Sequence, residues 1–395
     1  MKWSSSVVTE GTGDAAAAQL VDELRAGLDG EDAHLILLFV TPDQAELLPD
    51  LARRLRAAFP DARLLGCTGR SVLAAGQEVE GGSALAGLAG HLPDVGVVPF
   101  RVTDALREAA SADPETWRRQ LDLIPEQQPV FLLLADPFSP GIDALLSTLD
   151  AAFPGLPKVG GLVSGGQQPG AHLLLLDEDL HRDGAVGVAL YGDVTLRAVV
   201  AQGARPVGPT LEITDGEGNQ IQELDGGEAA TTLQGTWRGL DGPDQERFRR
   251  APLIGVATPS GGALQPGDFL VRNILALDRE NGRIVVGGPV RRGDQVRFFV
   301  RDRQASSEDL RAQLHRWRVS AQGPAPVAAL LFSCLGRGQA YFGVPNHDSR
   351  LVAEAAGPIA TAGFFCNGEI GPVHGRTVLH GYTASVALIG PRGWS

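Results

Sequence analysis

Residues 35–69, LILLFVTPDQAELLPDLARRLRAAFPDARLLGCTG, carry the layout on which the reading of this chain turns. An apolar run is followed by a helix-period segment, then the string Ala57-Ala58-Phe59-Pro60, then a short apolar run reaching Gly66. Ninety-four positions on, the string returns at Ala151 to Pro154 inside FLLLADPFSPGIDALLSTLDAAFPGLPKVGGLVSGG, residues 131–166, with Gly160 in the register of Gly66. A looser third copy lies near the C-terminus: AALLFSC at 328–334, SRLVAEAAG at 349–357 and GFFCNGEIGP at 363–372, with Cys366 beside a glycine turn as Cys67 is.

Each copy reads as strand, helix, strand, because apolar runs flank a segment whose apolar positions recur at three- and four-residue spacing. A further alternating segment follows each one: SALAGLAG at 83–90, GAVGVALYG at 184–192 and TASVALIG at 383–390. Each copy therefore supplies about three strands. One βαβ unit cannot cover both faces of its own sheet, so reuse implies units that stack or pair their sheets. The expected class is α/β: repeated βαβ-type units forming mixed sheets flanked by helices, in two domains. Ligands in open α/β sheets lie beyond the strand ends, which directs attention to the glycine turns.

A chain of 395 residues is long for one core. Apolar residues make up 43% and charged residues 21%, ordinary for a globular protein, while the net charge of −13 argues against nucleic acid or an anionic membrane as partner. The only lysines are Lys2 and Lys158, and the sole methionine is Met1, a pattern of base-composition bias. MKWSSSVVTEGTGD has no apolar stretch of signal-peptide length, and no later run approaches the ~20 residues of a membrane span, so a cytoplasmic protein is expected. Cys67, Cys334 and Cys366 show no C-x-x-C spacing; neither a disulfide framework nor a structural metal is indicated.

WSSSVVTE reads as a lead-in strand and AAAQLVDELRAGL as an amphipathic helix. From residue 194 alternating segments with G-x-G-N and D-G-G turns read as hairpins. A boundary near Leu224 to Gly227 divides the chain into 1–224 and 225–395. RAPLIGVATP and DFLVRNILALDRENGRIVVGG read as further strands with a turn at Glu280-Asn281-Gly282, and SSEDLRAQLHRW as a helix capped by Ser306 or Ser307.

The chain lacks G-x-x-x-x-G-K, G-x-G-x-x-G, G-x-S-x-G and H-E-x-x-H. What remains is a polar, glycine-rich C-terminal region. Arg337 lies between two glycines after a strand; it either pairs with a ligand carboxylate or with a neighbouring Asp or Glu. In Pro345-Asn346-His347-Asp348 the imidazole could ligate iron or act as a base, and Asp348 is a candidate helix N-cap. Glu369, just past a glycine turn, could receive a ligand amine, remain a solvated charge, or form a salt bridge to Arg337. His380 and Tyr382 add an imidazole and a phenol that equally suit a buried structural role. Gly66-Cys67-Thr68-Gly69 and Gly160 to Ser164 could bind an anion through bare amides, or serve close packing, with Cys67 a small buried hydrophobe.

FSCLGRGQAYFGVPNHD and GFFCNGEIGPVHGRTVLHGYTAS closely resemble the C-terminal part of the FIST family. LLGCTG, KVGGLVSGG, AQGARPVGPTLEIT, GNQIQELDG, DFLVRNILALDRENGRIVVG and VRFFVRD resemble the rest of it in order, so the resemblance spans about 30 to 390. It implies an N-terminal and a C-terminal FIST domain, sensory modules of prokaryotic signal transduction proposed to bind small ligands such as amino acids. Some bacterial members are similar to haem proteins that sense nitric oxide and control a histidine kinase. Ala204 stands where the family pattern usually has cysteine. The two sensory domains account for the length, so output is expected through a separate partner.

Three readings follow. In the first, Arg337 holds the carboxylate and Glu369 the amine of an amino-acid-like ligand, with Asn346, His347, Asp348, Asn367, His380 and Tyr382 completing the pocket. In the second, His347 or His380 is the axial ligand of a non-covalent haem walled by Phe332, Phe342, Phe364 and Phe365. In the third, Cys334, His347 and Asp348 serve a thiol hydrolase. Adjacent His and Asp do not easily form the relay such chemistry needs, so the chain is expected not to be an enzyme.

Overall fold

The computed structural model describes residues 1–9, 13–258 and 264–393. Glu10 and Pro259, end points of two expected strands, lie outside the described residues. The three repeats form as the spacing predicts. The strand Leu35–Val40, helix Leu48–Ala58 and strand Arg63–Thr68 make the first; Val130–Ala135, Ile142–Ala152 and Lys158–Leu162 the second; Ala328–Cys334, His347–Ala356 and Ala360–Cys366 the third. The first helix buries Leu48, Leu51, Ala52 and Leu55, and the second Leu145, Leu146, Leu149 and Ala152, one stripe each. The shared Ala-Ala-Phe-Pro string ends both helices: a proline disfavours helical backbone in the residue before it, so Phe59 and Phe153 leave the helix and turn into the core.

In every repeat the two strands pair in parallel, and the third strand lies antiparallel beside the first: Leu85–His91, Ala185–Gly192 and Ala384–Gly390. An edge strand flanks each of these, Lys2–Val8, Val95–Val102 and Thr195–Ala201. The remaining edge is filled by a hairpin borrowed from another repeat. Leu174–Leu176 with Asp179–His181, from the second repeat, completes the first sheet. Gly368–Val373 with Arg376–His380, from the third, completes the second. Val72–Ala74 with Gln77–Val79, from the first, completes the third. The exchange is cyclic, and all three sheets share one strand order.

The inner faces meet in one core that includes Leu37, Phe39, Leu132, Leu134, Leu330 and Phe332. Helices cover the outer faces of the first two sheets through separate clusters. Burial on both faces explains why the central strands are unbroken apolar runs rather than alternating ones.

The amides at the ends of the second strands are spent joining the repeats, which corrects the reading of these turns as anion cradles. Ser164 N–H donates to Thr68 O at 3.4 Å and Asn367 N–H to Leu162 O at 3.0 Å. The third side of this ring is closed by Phe365 N–H, which donates to Ser71 O at 2.9 Å, and through a hydroxyl: Arg70 N–H donates to Ser164 Oγ at 2.9 Å, and that hydroxyl donates to Phe365 O at 2.5 Å. Gly160 and Gly161 lie inside a strand. A Cβ on Gly160 would fall 1.8 Å from Leu133 O, and one on Gly161 2.3 Å from Cys366 Sγ.

Two compact units divide the chain. The first comprises Met1–Val200, Arg311–Leu379 and Thr383–Ser395 in its described part; the second is Ala201–Leu310 with His380–Tyr382. In the second, Ala204–Glu217, Gln295–Arg301, Leu253–Ala257, Phe269–Asp278, Arg283–Val286 and Gln220–Leu224 follow one another, and pairing of the last with the first closes a barrel. Ile213, Ile221, Ile254, Ile284 and Phe298 belong to its core. The helix read from SSEDLRAQLHRW begins earlier, at Arg303, so neither Ser306 nor Ser307 caps it. Asp302 does, accepting from the amides of Gln304 and Ala305 at 3.0 and 3.1 Å, while Ser306 Oγ donates to Gly203 O.

Candidate functional site

The three repeats can be superposed by strand register alone. Phe39 lies opposite Cys67, Leu134 opposite Gly161 and Phe332 opposite Phe364. The borrowed hairpin strand then sets Leu174 beside Cys67, Val72 beside Phe364, and Glu369 beside Gly161. Leu174 and Val72 are core aliphatics; the third member is a carboxyl group that is 0% exposed. A buried acid in a position that two sister repeats fill with hydrocarbon has no packing rationale.

Thr383 donates its N–H at 3.1 Å and its hydroxyl at 2.7 Å to Glu369 Oε2, and Oε1 has no partner among the described residues. Burial pushes the Glu369 carboxyl up to about 8; the Thr383 bonds and the charge of Arg337 oppose that rise without reversing it. At neutral pH this acid is protonated in the folded chain.

Arg337 is 1% exposed. Its Nε and Nη2 donate to the two oxygens of Asp348 at 2.7 and 2.9 Å, a fork-to-fork pair. Asp348 also accepts from Ser333 Oγ at 2.7 Å and from His347 Nδ1 at 2.8 Å. Burial alone would raise Asp348, but the guanidinium and these donors hold it well below the usual carboxylate range. Phe342 stacks on His347 at 3.5 Å and lies 5.1 Å from the guanidinium. Arg337 Nη1 has no hydrogen-bond partner among the described residues.

The partner of Arg337 is therefore Asp348; among the described residues no ion pair joins it to Glu369. Asp348 is not a helix cap, since the helix starts at His347 and the carboxylate is committed to Arg337. Asn346 sits in left-handed backbone and accepts from Glu78 N–H at 2.7 Å, while Asn367 spends its side-chain amide on Val163 O at 2.9 Å. His380 and Tyr382 belong to the second unit, where His380 is buried. There the Tyr382 hydroxyl bonds Asn273 and its ring lies 5.3 Å from the Arg301 guanidinium.

Several residues of the site carry no sequence signal. Glu78 reaches the cluster from the first repeat's hairpin: its Oε1 accepts from Ser349 N–H at 2.7 Å, and burial followed by the Asp348 charge pushes it up to about 7. Glu80 accepts from Gln339 N–H at 2.6 Å and packs where a Cβ on Gly338 would lie 1.9 Å from it. A cleft of about 720 Å³ lined by Gln77, Glu78, Glu80, Gln339 and Gly343 lies over this contact.

Buried Asp136 and His172 form a second cluster with half-buried Ser139, but Ser139 donates to Asp136 rather than to the imidazole. His172 Nε2 accepts from Gly166 N–H, so Nδ1 carries the proton, and the cluster staples loops. Lys158, 0% exposed, pairs with Asp150 at 2.8 Å and ties the end of its helix through Phe153 O.

A model of the FIST N domain matches residues 34–227, and a model of the FIST C domain matches residues 232–372. An uncharacterized protein of Mycobacterium tuberculosis is 35% identical over 374 residues, covering 94% of this chain and 95% of that protein. An uncharacterized protein of Mycobacterium bovis is 32% identical over 396 residues, 98% of each.

A cyanuric acid hydrolase from A. caulinodans aligns with 99% of this chain and 99% of its own, at a TM-score of 0.34 and 10% identity. The expectation that the chain is not an enzyme is corrected on that finding and withdrawn, since the aligned structure is a hydrolase. A likeness of that size assigns this chain no chemistry. The argument behind the expectation also fails locally, because the adjacent His347 and Asp348 do pair. No helix among the described residues is long and apolar enough to cross a membrane. With both models matched in order along one chain, and with relatives alike from end to end, this protein belongs to the FIST family, whose domains are sensory modules of signal transduction.

Proposed function

We propose that this protein is a cytoplasmic sensor of an amino-acid-like small molecule that signals through a separate partner, such as a histidine kinase. One observation carries the reading: two fully buried side chains of the same repeat, Arg337 and Glu369, each keep one polar atom unpartnered among the described residues, Nη1 on the first and Oε1 on the second. Such orphaned atoms are costly unless something else satisfies them. A donor of fixed positive charge and a carboxyl group are complementary to the two ends of a zwitterion. The acidic net charge of −13 sets the chain against nucleic acid and anionic lipid as partners.

A haem between His347 and the nearby phenylalanines does not fit these residues. Phe332 and Phe364 are sealed in the core against each other, and Phe365 is buried. Phe342 lies flat on His347, whose Nδ1 is held by Asp348. No step of the function is routed through haem.

An ammonium group beside Glu369 Oε1 favours the ionised carboxylate, so binding releases a proton. The test is a thermal-shift panel of amino acids and small carboxylates on the full chain, followed by calorimetry of any hit in two buffers of different ionisation enthalpy. A hit that releases about one proton at pH 7, and no proton in Glu369→Gln, supports the reading. A panel without a shift, or a hit whose affinity and proton release are untouched in Glu369→Gln, overturns it.

A further inference from the structure

All three cysteines of the chain gather at the same strand ends. Cys334 and Cys366 are register partners, the last pair of the parallel strands Ala328–Cys334 and Ala360–Cys366. Two residues upstream the paired Phe332 and Phe364 face the core, so by strand alternation both cysteines project from the same face. Neighbouring strands lie about 4.8 Å apart, within the roughly 4.4–6.8 Å that a disulfide spans between Cα atoms. Cys67 is also close enough for its charge to act on Cys366, but Cys67 is paired along the first sheet with Phe39.

The three thiols differ in access. Cys67 and Cys366 are 0% exposed, and burial pushes both thiols up. Cys334 alone keeps contact with solvent. The turn that follows it returns Arg337 N–H to Cys334 O at 2.8 Å, and the Cys334 thiolate and the Arg337 guanidinium attract each other. Of the three cysteines Cys334 is the one a dissolved peroxide meets first; its buried neighbours are inert until something reactive forms beside them.

The sister repeats have Thr41 with Gly69, and Asp136 with Val163, where the third repeat has Cys334 with Cys366, by the same register that aligned Glu369 with Val72 and Leu174. The thiol pair and the buried arginine occur together in one repeat only.

We propose that Cys334 is a peroxide-oxidised site and that Cys366 closes it to a disulfide across the parallel strand pair. The Cys334 thiolate attacks a hydroperoxide, taking one oxygen and releasing an alcohol or water after proton uptake, which leaves a sulfenic acid. The Cys366 sulfur then displaces the hydroxyl of that sulfenic acid, and the departing oxygen leaves as water with the Cys366 proton. The hydroperoxide is the two-electron oxidant, and the pair of thiols is the reductant. This site does not rest on the ligand reading above, and its test needs no ligand.

The experiment exposes the reduced full chain to a small excess of hydrogen peroxide, blocks residual thiols, and maps the non-reduced peptides by mass spectrometry. The expected result is a fall in free thiols from three to one, a Cys334–Cys366 cross-linked peptide, and recovery of all three thiols with dithiothreitol. The cross-link persists in Cys67→Ser. In Cys366→Ser the reaction stops at sulfenic acid, which dimedone traps on Cys334. A wild-type chain in which Cys334 remains a free thiol while folded, a cross-link that instead joins Cys67 to Cys366, or dimedone labelling absent from Cys334 in Cys366→Ser overturns the proposal.

Discussion

Replacing Glu369 by glutamine should make the protein more stable, and by an amount that grows with pH. Glutamine keeps an oxygen for the two donors of Thr383 and nearly the same volume. It lacks the titrating proton. In the unfolded chain the Glu369 carboxyl ionises near its ordinary value of 4.5, whereas in the folded chain burial pushes that to about 8. Between those values the folded state holds a proton that the unfolded state has given up. Stability therefore falls as pH rises, at 1.36 kcal/mol per unit for one fully mismatched proton. The accumulated cost is about 3 kcal/mol at pH 7 and levels off near 5 kcal/mol above pH 8. Glu78, pushed up to about 7, adds a slope of the same sign, but it is present in both proteins and cancels in the difference. Urea unfolding of wild type and Glu369→Gln at pH 5, 6, 7, 8 and 9, followed by far-ultraviolet circular dichroism, reads that difference directly. A gap that stays constant from pH 5 to 8 would refute the reasoning, since it would mean that Glu369 ionises in the fold as it does in the unfolded chain.

Asp348→Asn leaves Arg337 buried without a counter-charge and should cost about 3–5 kcal/mol, read as a lowered urea midpoint. The double substitution Arg337→Met with Asp348→Leu should recover most of that loss, because no charge remains to desolvate. Ser164→Ala should cost about 1–3 kcal/mol for each of the two groups it strands, Arg70 N–H and Phe365 C=O, and should speed amide exchange at Arg70 while leaving the Asn367 amide protected.

Much of this fold was legible because the duplicated unit leaves a local mark. The Ala-Ala-Phe-Pro strings mark the duplication, and in the structure they stand at two helix ends, while the alternating segments after each unit mark the third strands. The borrowed hairpins were not legible. Val72–Ala74 and Gln77–Val79 are three residues each, too short for any period, and their partner strand begins at Ala360. Glu78 carries no sequence signal for the same reason, since its role exists only once that distant pairing has formed. Glu369 stands out in the sequence as a charge beside a glycine turn, yet its burial follows from the register that sets it against Gly161. The pairing of Arg337 with Asp348 is not fixed by the sequence, because ten residues of turn and helix lie between them. The alignment of Glu369 with Leu174 and Val72 was latent in the sequence, but it needs the hairpins to be read first.

The cyclic loan of hairpins has a consequence for how the chain is made. During synthesis the hairpin at residues 72–79 emerges with its outer edge ready to pair, and the strand that accepts it is not translated until residues 360–366. The first sheet likewise waits for residues 174–181. Until then the nascent protein carries open strand edges, the feature through which chains stick to one another. Pairings so distant along the sequence close slowly. Production of this protein should therefore depend on chaperones to a degree that its ordinary composition does not suggest, and fragments ending before the third repeat should aggregate rather than fold.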